Sequence, residues 1–445
     1  MTAEPSVRNP LAWVPTAYLA EGIPFAMVIW VAGTLFKDLG HSDGAITVAL
    51  ASIGLAWSLK PFWAAFLDMF KTKRFFVLTM ELVMAVLLGL VALALPLPNY
   101  FQITIAILWV LAFASATQDI CVDGIYITSL DEADQAKYIG VQGMAWNVGR
   151  IFATAGIVWV AGSLQEQASY DPKTAWGIAV GLSGATMAAL AVYHWFMLPP
   201  GSKTSSAEST EEVVSTFIDT VRDFFAKDKI WGMLAFVFLF RSAEGLLLIE
   251  APLFLQAPLE EGGLGMTLVQ KGIIDGTVST AVSIIGGLLG GWFVSRHGLK
   301  KTLFFLAICL NVPNLCYVYL SFAVTPDAPL SMTTIGMLVT IEKFGYSFGF
   351  VGNMLYMMQQ ISPGRYHMTH YAFCTALMNL VLIPTQMASG PLADWMGYRA
   401  YFIFVIVATI PSLIAAKLAP FPRDDAEASD DDSQASANRA KEAPS

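Results

Sequence analysis

The sequence is poor in charge. Only 13% of its 445 residues are Asp, Glu, Lys or Arg, and 56% are hydrophobic, whereas a soluble protein carries about 25% charged residues. Mean hydropathy is +0.60. So little polar surface cannot cover a water-soluble globule, and lipid is the implied solvent. Cysteine is scarce too. The four present (Cys121, Cys309, Cys316, Cys374) lie in apolar runs and form no CxxC pair, which argues against a disulfide framework or a zinc cluster and for buried thiols. The five histidines are His41, His194, His297, His367 and His370, and the sequence places none beside a mid-membrane acid. His367 and His370 read as a solvated helix start. No GxxxxGK[ST] loop, nucleophile–base set or metal-ligand cluster is legible, so neither an enzyme nor a cofactor is expected. No basic block points to nucleic acid.

What is present is a series of apolar runs long enough to cross a bilayer, which takes roughly 20 residues each. Twelve are counted, at about 13–36, 45–66, 74–95, 102–128, 138–163 and 175–198, then 230–256, 268–294, 302–323, 332–360, 367–393 and 399–419. They are continuous rather than alternating, so they read as helices and not barrel strands. The first is too long for a signal peptide core and has no small-residue cleavage site behind it, so it reads as a retained span. The expected fold is an all-α membrane protein of twelve transmembrane helices. Its organisation is an N-terminal six-helix bundle (1–198), a linker (199–229), a C-terminal six-helix bundle (230–422) and an acidic, disordered tail (423–445). The linker's second part has Val213, Val214, Phe217, Val221 and Phe224 on one helical face, and Ser209 with Glu212 fits a capping box.

Lysine and arginine set the orientation. With the N-terminus in the cytoplasm, 17 basic residues fall in cytoplasmic segments and three (Lys37, Lys173, Arg399) outside. That asymmetry places both termini inside.

The halves echo each other. Asp68, Lys71, Lys73 and Arg74 follow span 2, and GGWFVSRHGLKK (290–301) follows span 8. A short basic loop at the same place in each half marks an internal repeat. It resembles the signature of the major facilitator superfamily, in which a glycine and an acid precede Arg-x-Gly-basic-basic. The first half keeps the acid, Asp68; the second keeps Gly291, Arg296, Gly298, Lys300 and Lys301 but has Ser295 in the acid's place. The resemblance implies two pseudo-symmetric six-helix bundles around a central cavity.

A charge at mid-membrane costs roughly 2.5–3.5 kcal/mol on insertion scales, so charges within spans are informative. Spans 1, 4, 7 and 10 hold eight: Glu21, Asp119, Asp123, Arg241, Glu244, Glu250, Glu342 and Lys343. Spans 2, 5, 8 and 11 hold four: Lys60, Arg150, Lys271 and Asp275. Spans 3, 6, 9 and 12 hold Glu81 before the terminal Lys417. In the major facilitator fold the first set lines the cavity and the last faces lipid, and the distribution follows that order. Asp119 and Asp123, four apart, share a helix face; both ionised, they repel, which raises at least one pKa and suits a proton carrier. Pairing with Arg150 is the structural alternative. Arg241 and Glu244, three apart, can pair within their helix. Glu342 and Lys343 point about 100° apart, so one is expected in the cavity and the other against a neighbouring helix. Pro24 removes the hydrogen bond to Ala20, leaving Glu21 either to cap that break or to face solute. Lys60 snorkels or binds Asp68.

The run SATQDICVDGIYITSL (115–130) resembles span 4 of the AmpG-like permeases, through Ser115, Ala116, Gln118, Asp119 and Asp123. That family includes bacterial muropeptide permeases and eukaryotic acetyl-CoA transporters. Ala20-Glu21-Gly22-Ile23-Pro24 resembles its first helix, and Lys60-Pro61-Phe62-Trp63 with Asp68 its second. The resemblance implies proton-driven uptake through a bacterial inner membrane, dependent on Asp119 and Asp123. Taken together, the expectation is a proton-coupled importer of a polar, sugar-containing solute, an anhydromuropeptide or oligosaccharide, acting as a monomer. The alternatives are another anionic solute, such as an acyl-CoA or siderophore, or a membrane signalling protein. Proton coupling is expected at Asp119, Asp123, Glu21 and Glu342. Solute binding is expected at Arg150, Arg241, Glu244, Lys343, Gln118, Tyr126, Trp146 and Trp30, and gating at Asp68, Arg296 and Lys60.

Overall fold

In lipid each backbone N–H and C=O must be satisfied within its own segment, so continuous apolar runs become helices. The computed structural model describes residues 9–60, 62–63, 67, 72–200, 210–364 and 367–423. Span 1 runs Pro10–Asp38, and the described part of span 2 is Asp43–Ser58. Spans 3 and 4 are Lys73–Ala94 and Tyr100–Ser129. Span 5 begins as Glu132–Ile151 and continues through Val158–Glu166. Span 6 is Pro172–Met197, span 7 Ile230–Gln256, span 8 Leu268–His297 and span 9 Leu299–Ala323. Span 10 is Met332–Tyr356, extended by Met357–Ile361. Spans 11 and 12 follow from His367 to Leu418 and are separated at Gly397, whose φ of 72° only glycine adopts readily. Starts are capped by local side chains. Ser42, Thr72, Asp171 and Ser331 each accept a backbone N–H of the first turn, and Thr267 with Gln270 forms a capping box.

Packing repeats between the halves. Span 3 lies against spans 4 and 6, as span 9 does against spans 10 and 12; span 1 lies against span 5, as span 7 does against span 11. The halves meet where span 5 crosses span 8 and where span 2 crosses span 11. At both crossings glycine permits the approach: a Cβ on Gly276 would sit 2.7 Å from the Thr154 carbonyl oxygen, and one on Gly390 2.2 Å from that of Asp43. Span 5 (Phe152–Ile157) and span 8 (Gly272–Val278) are π-helical at their crossing. π-Helical turns are rare and concentrate at functional sites.

The two ends of the molecule differ. One end carries the connection between the halves and is called the linker end; the other is the far end. At the far end the cores merge, since Ile249, Leu253 and Leu268 of the second half join the cluster built around span 1. At the linker end each half keeps its own core, Tyr18, Val122 and Tyr126 in the first and Phe236, Leu306 and Tyr356 in the second. Among the described residues the halves are therefore joined at the far end and keep separate cores at the linker end.

Three expectations need correction. Glu81 does not face lipid: it is fully buried, its Oε1 is 2.7 Å from His194 Nδ1, and it accepts from Gln118 Nε2 at 3.2 Å. A histidine thus does sit beside a membrane-embedded acid, because span 6 packs on span 3. His370 is buried rather than solvated, its Nε2 3.1 Å from the Thr220 carbonyl oxygen of the linker helix, Thr210–Phe225. That helix inserts Phe224 against Phe373 of the second half, ring centroids 4.9 Å apart. Ser209, Asp68, most of the acidic tail and the side chains of His367, Val213, Val214 and Phe217 lie outside the described residues.

Candidate functional site: a charged cavity between the halves

A cavity of about 240 Å³ lies midway along the spans, between the halves. Span 1 contributes Trp30 and Thr34, from the stretch where Pro24 breaks the hydrogen-bond ladder and the helix widens into a π turn, Met27–Val31. Span 5 contributes Arg150 and Thr154, span 7 Glu244, span 8 Lys271 and Asp275, and span 10 Glu342, Lys343 and Tyr346.

Glu244 and Glu342 are well supplied with donors. Glu244 pairs with Arg241 and accepts the Tyr346 hydroxyl at 2.6 Å. The i,i+3 pairing expected for Arg241 is present, but its guanidinium sits behind Glu244, over the Phe350 ring at 4.9 Å, and does not line the cavity. Glu342 accepts the Tyr317 hydroxyl at 3.0 Å and lies 3.2 Å from Lys343 Nζ. Both Glu342 and Lys343 line the cavity, contrary to the expectation from helix angle, because the long lysine stem reaches back to its neighbour. The cations are supplied less completely. Lys271 is buried and donates to the neutral Gln256 at 3.1 Å. Arg150 stacks on the Trp30 ring at 4.5 Å, and its Nε has no hydrogen-bond partner. An anionic group entering the cavity would meet two cations whose hydrogen-bonding and stacking partners are neutral, with Asp275 the acid within electrostatic reach of both. Lys271 and Asp275 belong to the lining although the sequence expectation did not include them; their spacing of four in a span that carries no other charge before Arg296 was the available signal.

Apart from Arg296, the remaining expected residues that are described gather in the first half, away from the cavity lining. Asp119 forms an ion pair with Lys60 rather than with the Arg150 weighed for it; Asp68, weighed for Lys60, lies outside the described residues. Asp123 accepts the Tyr18 hydroxyl at 2.8 Å. Glu21 is buried, has no partner for Oε1 and lies within electrostatic reach of Asp119, Asp123 and Lys60. Three acids on spans 1 and 4 thus share one lysine. Gln118 is buried against Glu81, and Tyr126 donates to the Gln135 carbonyl oxygen at 2.7 Å, so neither is open to the cavity. Trp146 packs on Phe25, ring centroids 5.6 Å apart. Arg296 is exposed at the end of span 8, 5.5 Å from the Trp292 ring. Among the described residues no cluster of His, Cys, Asp and Glu has the arrangement of a metal site.

Two helical bundles, closed on each other at one end and parted at the other around a charged cavity, make a membrane transporter of small solutes. The sequence matches the model of the Major Facilitator Superfamily over residues 16–369, and the chain belongs to that superfamily. Within it the chain is AmpG-like. It is 23% identical to "Putative transporter AmpG 4" of Rickettsia conorii, over 89% of this chain and 92% of the relative. It is 22% identical to the anhydromuropeptide permease of Escherichia coli K12, over 89% of this chain and 76% of that one. Among solved structures, a bacterial homologue of the human lysosomal transporter Spinster, inward-facing and unoccupied, superposes with a TM-score of 0.70 at 15% identity, covering 94% of this chain and 98% of the other. The nucleoside transporter NupG superposes with a TM-score of 0.70 at 13% identity, covering 92% and 98%.

Proposed function

We propose that this chain imports a sugar-containing, negatively charged solute, an anhydromuropeptide or a related oligosaccharide, in exchange for the energy of an inward proton gradient. In this reading the protein is a monomer in a bacterial inner membrane with both termini in the cytoplasm. The units 1–198 and 230–422 rock as bodies about the crossing of spans 5 and 8, joined by 199–229. The cavity then opens alternately to either side of the membrane. The anhydromuropeptide permease among the relatives favours this solute class.

The carrying observation is Arg150 beside Trp30. A guanidinium with a free N–H, held over an indole in a cavity, suits a carboxylate attached to a sugar ring: the charge meets the donor and the ring meets an aromatic face. Lys271 and Lys343 add cationic donors from the opposite half, and Glu244 and Asp275 accept from hydroxyls. Asp119, Asp123 and Glu21, crowded around Lys60, carry the proton. Glu342, between Lys343 and Tyr317, relays protonation to the solute site. Lys60, Arg296 and Asp68 gate the linker end.

Purified protein in lipid vesicles tests the proposal. Labelled anhydromuropeptide should accumulate when an inward proton gradient is imposed, and unlabelled anhydromuropeptide should compete better than neutral oligosaccharides or an acyl-CoA. Asp123→Asn should abolish gradient-driven accumulation while leaving solute exchange. Accumulation indifferent to the gradient would remove the coupling, and competition led by acyl-CoA would replace the solute class.

A further inference from the structure

Glu250, on span 7, is completely buried, and neither of its carboxyl oxygens has a hydrogen-bond partner among the described residues. It sits at the far end, where spans 1, 2, 7, 11 and 12 converge. Across the junction between the halves it faces the carboxyl of Asp43, at the start of span 2, as its foremost charged neighbour. Asp43 is already held: Lys37 Nζ of span 1 is 2.8 Å from its Oδ1, and the Tyr398 hydroxyl of span 12 donates to Oδ2 at 2.5 Å. The other groups facing this point are accounted for, His41 among them, its Nε2 2.7 Å from the Tyr100 hydroxyl. Asp394 of span 11 accepts the Gly44 N–H at 2.8 Å, and the Tyr401 hydroxyl donates to the Leu246 carbonyl oxygen at 2.6 Å. Glu261 lies 3.5 Å from Lys37 on the exposed side. Lys271 of span 8 acts on Asp43 only at long range and is bonded to Gln256. Among the described residues around Glu250, then, Asp43 and Asp394 confront the nearby ammonium of Lys37.

Two ionised carboxylates facing each other across this junction repel, and the buried one, Glu250, would lack any donor. One proton removes both difficulties, because the O–H of a neutral Glu250 can donate to Asp43. Asp43 keeps its charge for Lys37 and Tyr398. Since Asp43 belongs to the first half and Glu250 to the second, this bond exists only while the far end is shut. We propose that a proton held on Glu250 and shared with Asp43 latches the far end closed, and that opening this end releases it to the solution there. The latch is separate from the acids of spans 1 and 4 and does not depend on the identity of the solute.

The test needs no solute. Spin labels at Asn99→Cys and Asp327→Cys, on exposed far-end loops of opposite halves, are placed in a background with the four native cysteines replaced by serine. Pulsed electron resonance then reports the distance between the far ends of the halves in the full chain. The ratio of the long-distance (open) to the short-distance (closed) population should rise with pH, by up to about tenfold per pH unit, the limit for one linked proton. Glu250→Gln, whose amide supplies the donor at every pH, should be more closed and should lose the part of the pH slope that Glu250 carries, leaving only what the acids of spans 1 and 4 contribute. If that variant does not fold, Asp43→Asn, which supplies the donor from the other side, should lose the same part. A pH slope in either folded variant equal to that of the unsubstituted chain would overturn the latch, as would a population ratio in the unsubstituted chain that does not change with pH.

Discussion

Arg150 of span 5 holds its guanidinium 4.5 Å from the centre of the Trp30 ring of span 1, with Nε facing no acceptor. A charge-assisted hydrogen bond contributes about 1.5–3 kcal/mol, so Arg150→Gln should weaken apparent solute affinity by roughly ten- to a hundredfold in a vesicle uptake assay. Arg150→Lys should recover little, because an ammonium offers no planar fork and stacks less well. A neutral analogue of the solute should be taken up almost equally by both variants. Equal losses for charged and neutral solutes would assign Arg150 to structure instead.

At the crossing of spans 5 and 8 no room exists for a side chain on Gly276, where a Cβ would lie 2.7 Å from the Thr154 carbonyl oxygen and 2.8 Å from the Ala155 nitrogen. Both neighbours are backbone and cannot turn aside. Gly276→Val should lower stability by about 1–3 kcal/mol, the usual cost of overpacking, and should slow solute exchange beyond what the stability loss explains. Thermal unfolding alongside exchange rates checks this. By contrast, Gly287, with nothing within 4 Å of the same added atom, should tolerate alanine.

Glu81 and His194 form a buried pair that ties span 3 to span 6, with His194 Nε2 also 3.0 Å from the Thr16 hydroxyl of span 1. Removing one partner of a buried pair leaves the other without compensation, which costs about 3–5 kcal/mol. His194→Ala should therefore lower the thermal midpoint strongly. Glu81→Gln, which keeps the shape and a hydrogen-bonding group, should lower it less. If the two losses match, the pairing is not what holds these spans.

Much of the architecture was legible because the bilayer enforces it. Length and hydropathy gave twelve spans, and within the described residues the boundaries lie within a few residues of the helices apart from span 5, which starts earlier, at Glu132. The distribution of charge among spans pointed to a charged cavity, and Arg150, Glu244, Glu342 and Lys343 lie on one, although only one of Glu342 and Lys343 was expected there. What the sequence could not give was the rotation of each helix about its axis. Asp119 and Asp123 share a face, but whether that face meets Arg150 or the Lys60–Tyr18 side is decided by how span 4 turns against spans 1 and 2. The same gap hid Glu81, since a lone acid on a peripheral span reads as lipid-facing until span 6 brings His194 against it. It also left Lys271 outside the expected site, and Glu250 without a role.

The central claim is that solute crosses by alternate parting of the halves at their two ends, and a reversible bridge at the far end tests it most directly. A Cβ on Gly44 would lie 3.4 Å from the Pro391 Cα, within the reach of a disulfide. With the native cysteines replaced, Gly44→Cys with Pro391→Cys should lose vesicle uptake on oxidation and regain it on reduction, while each single variant is unaffected by either treatment. Full uptake with the bridge formed would contradict the account.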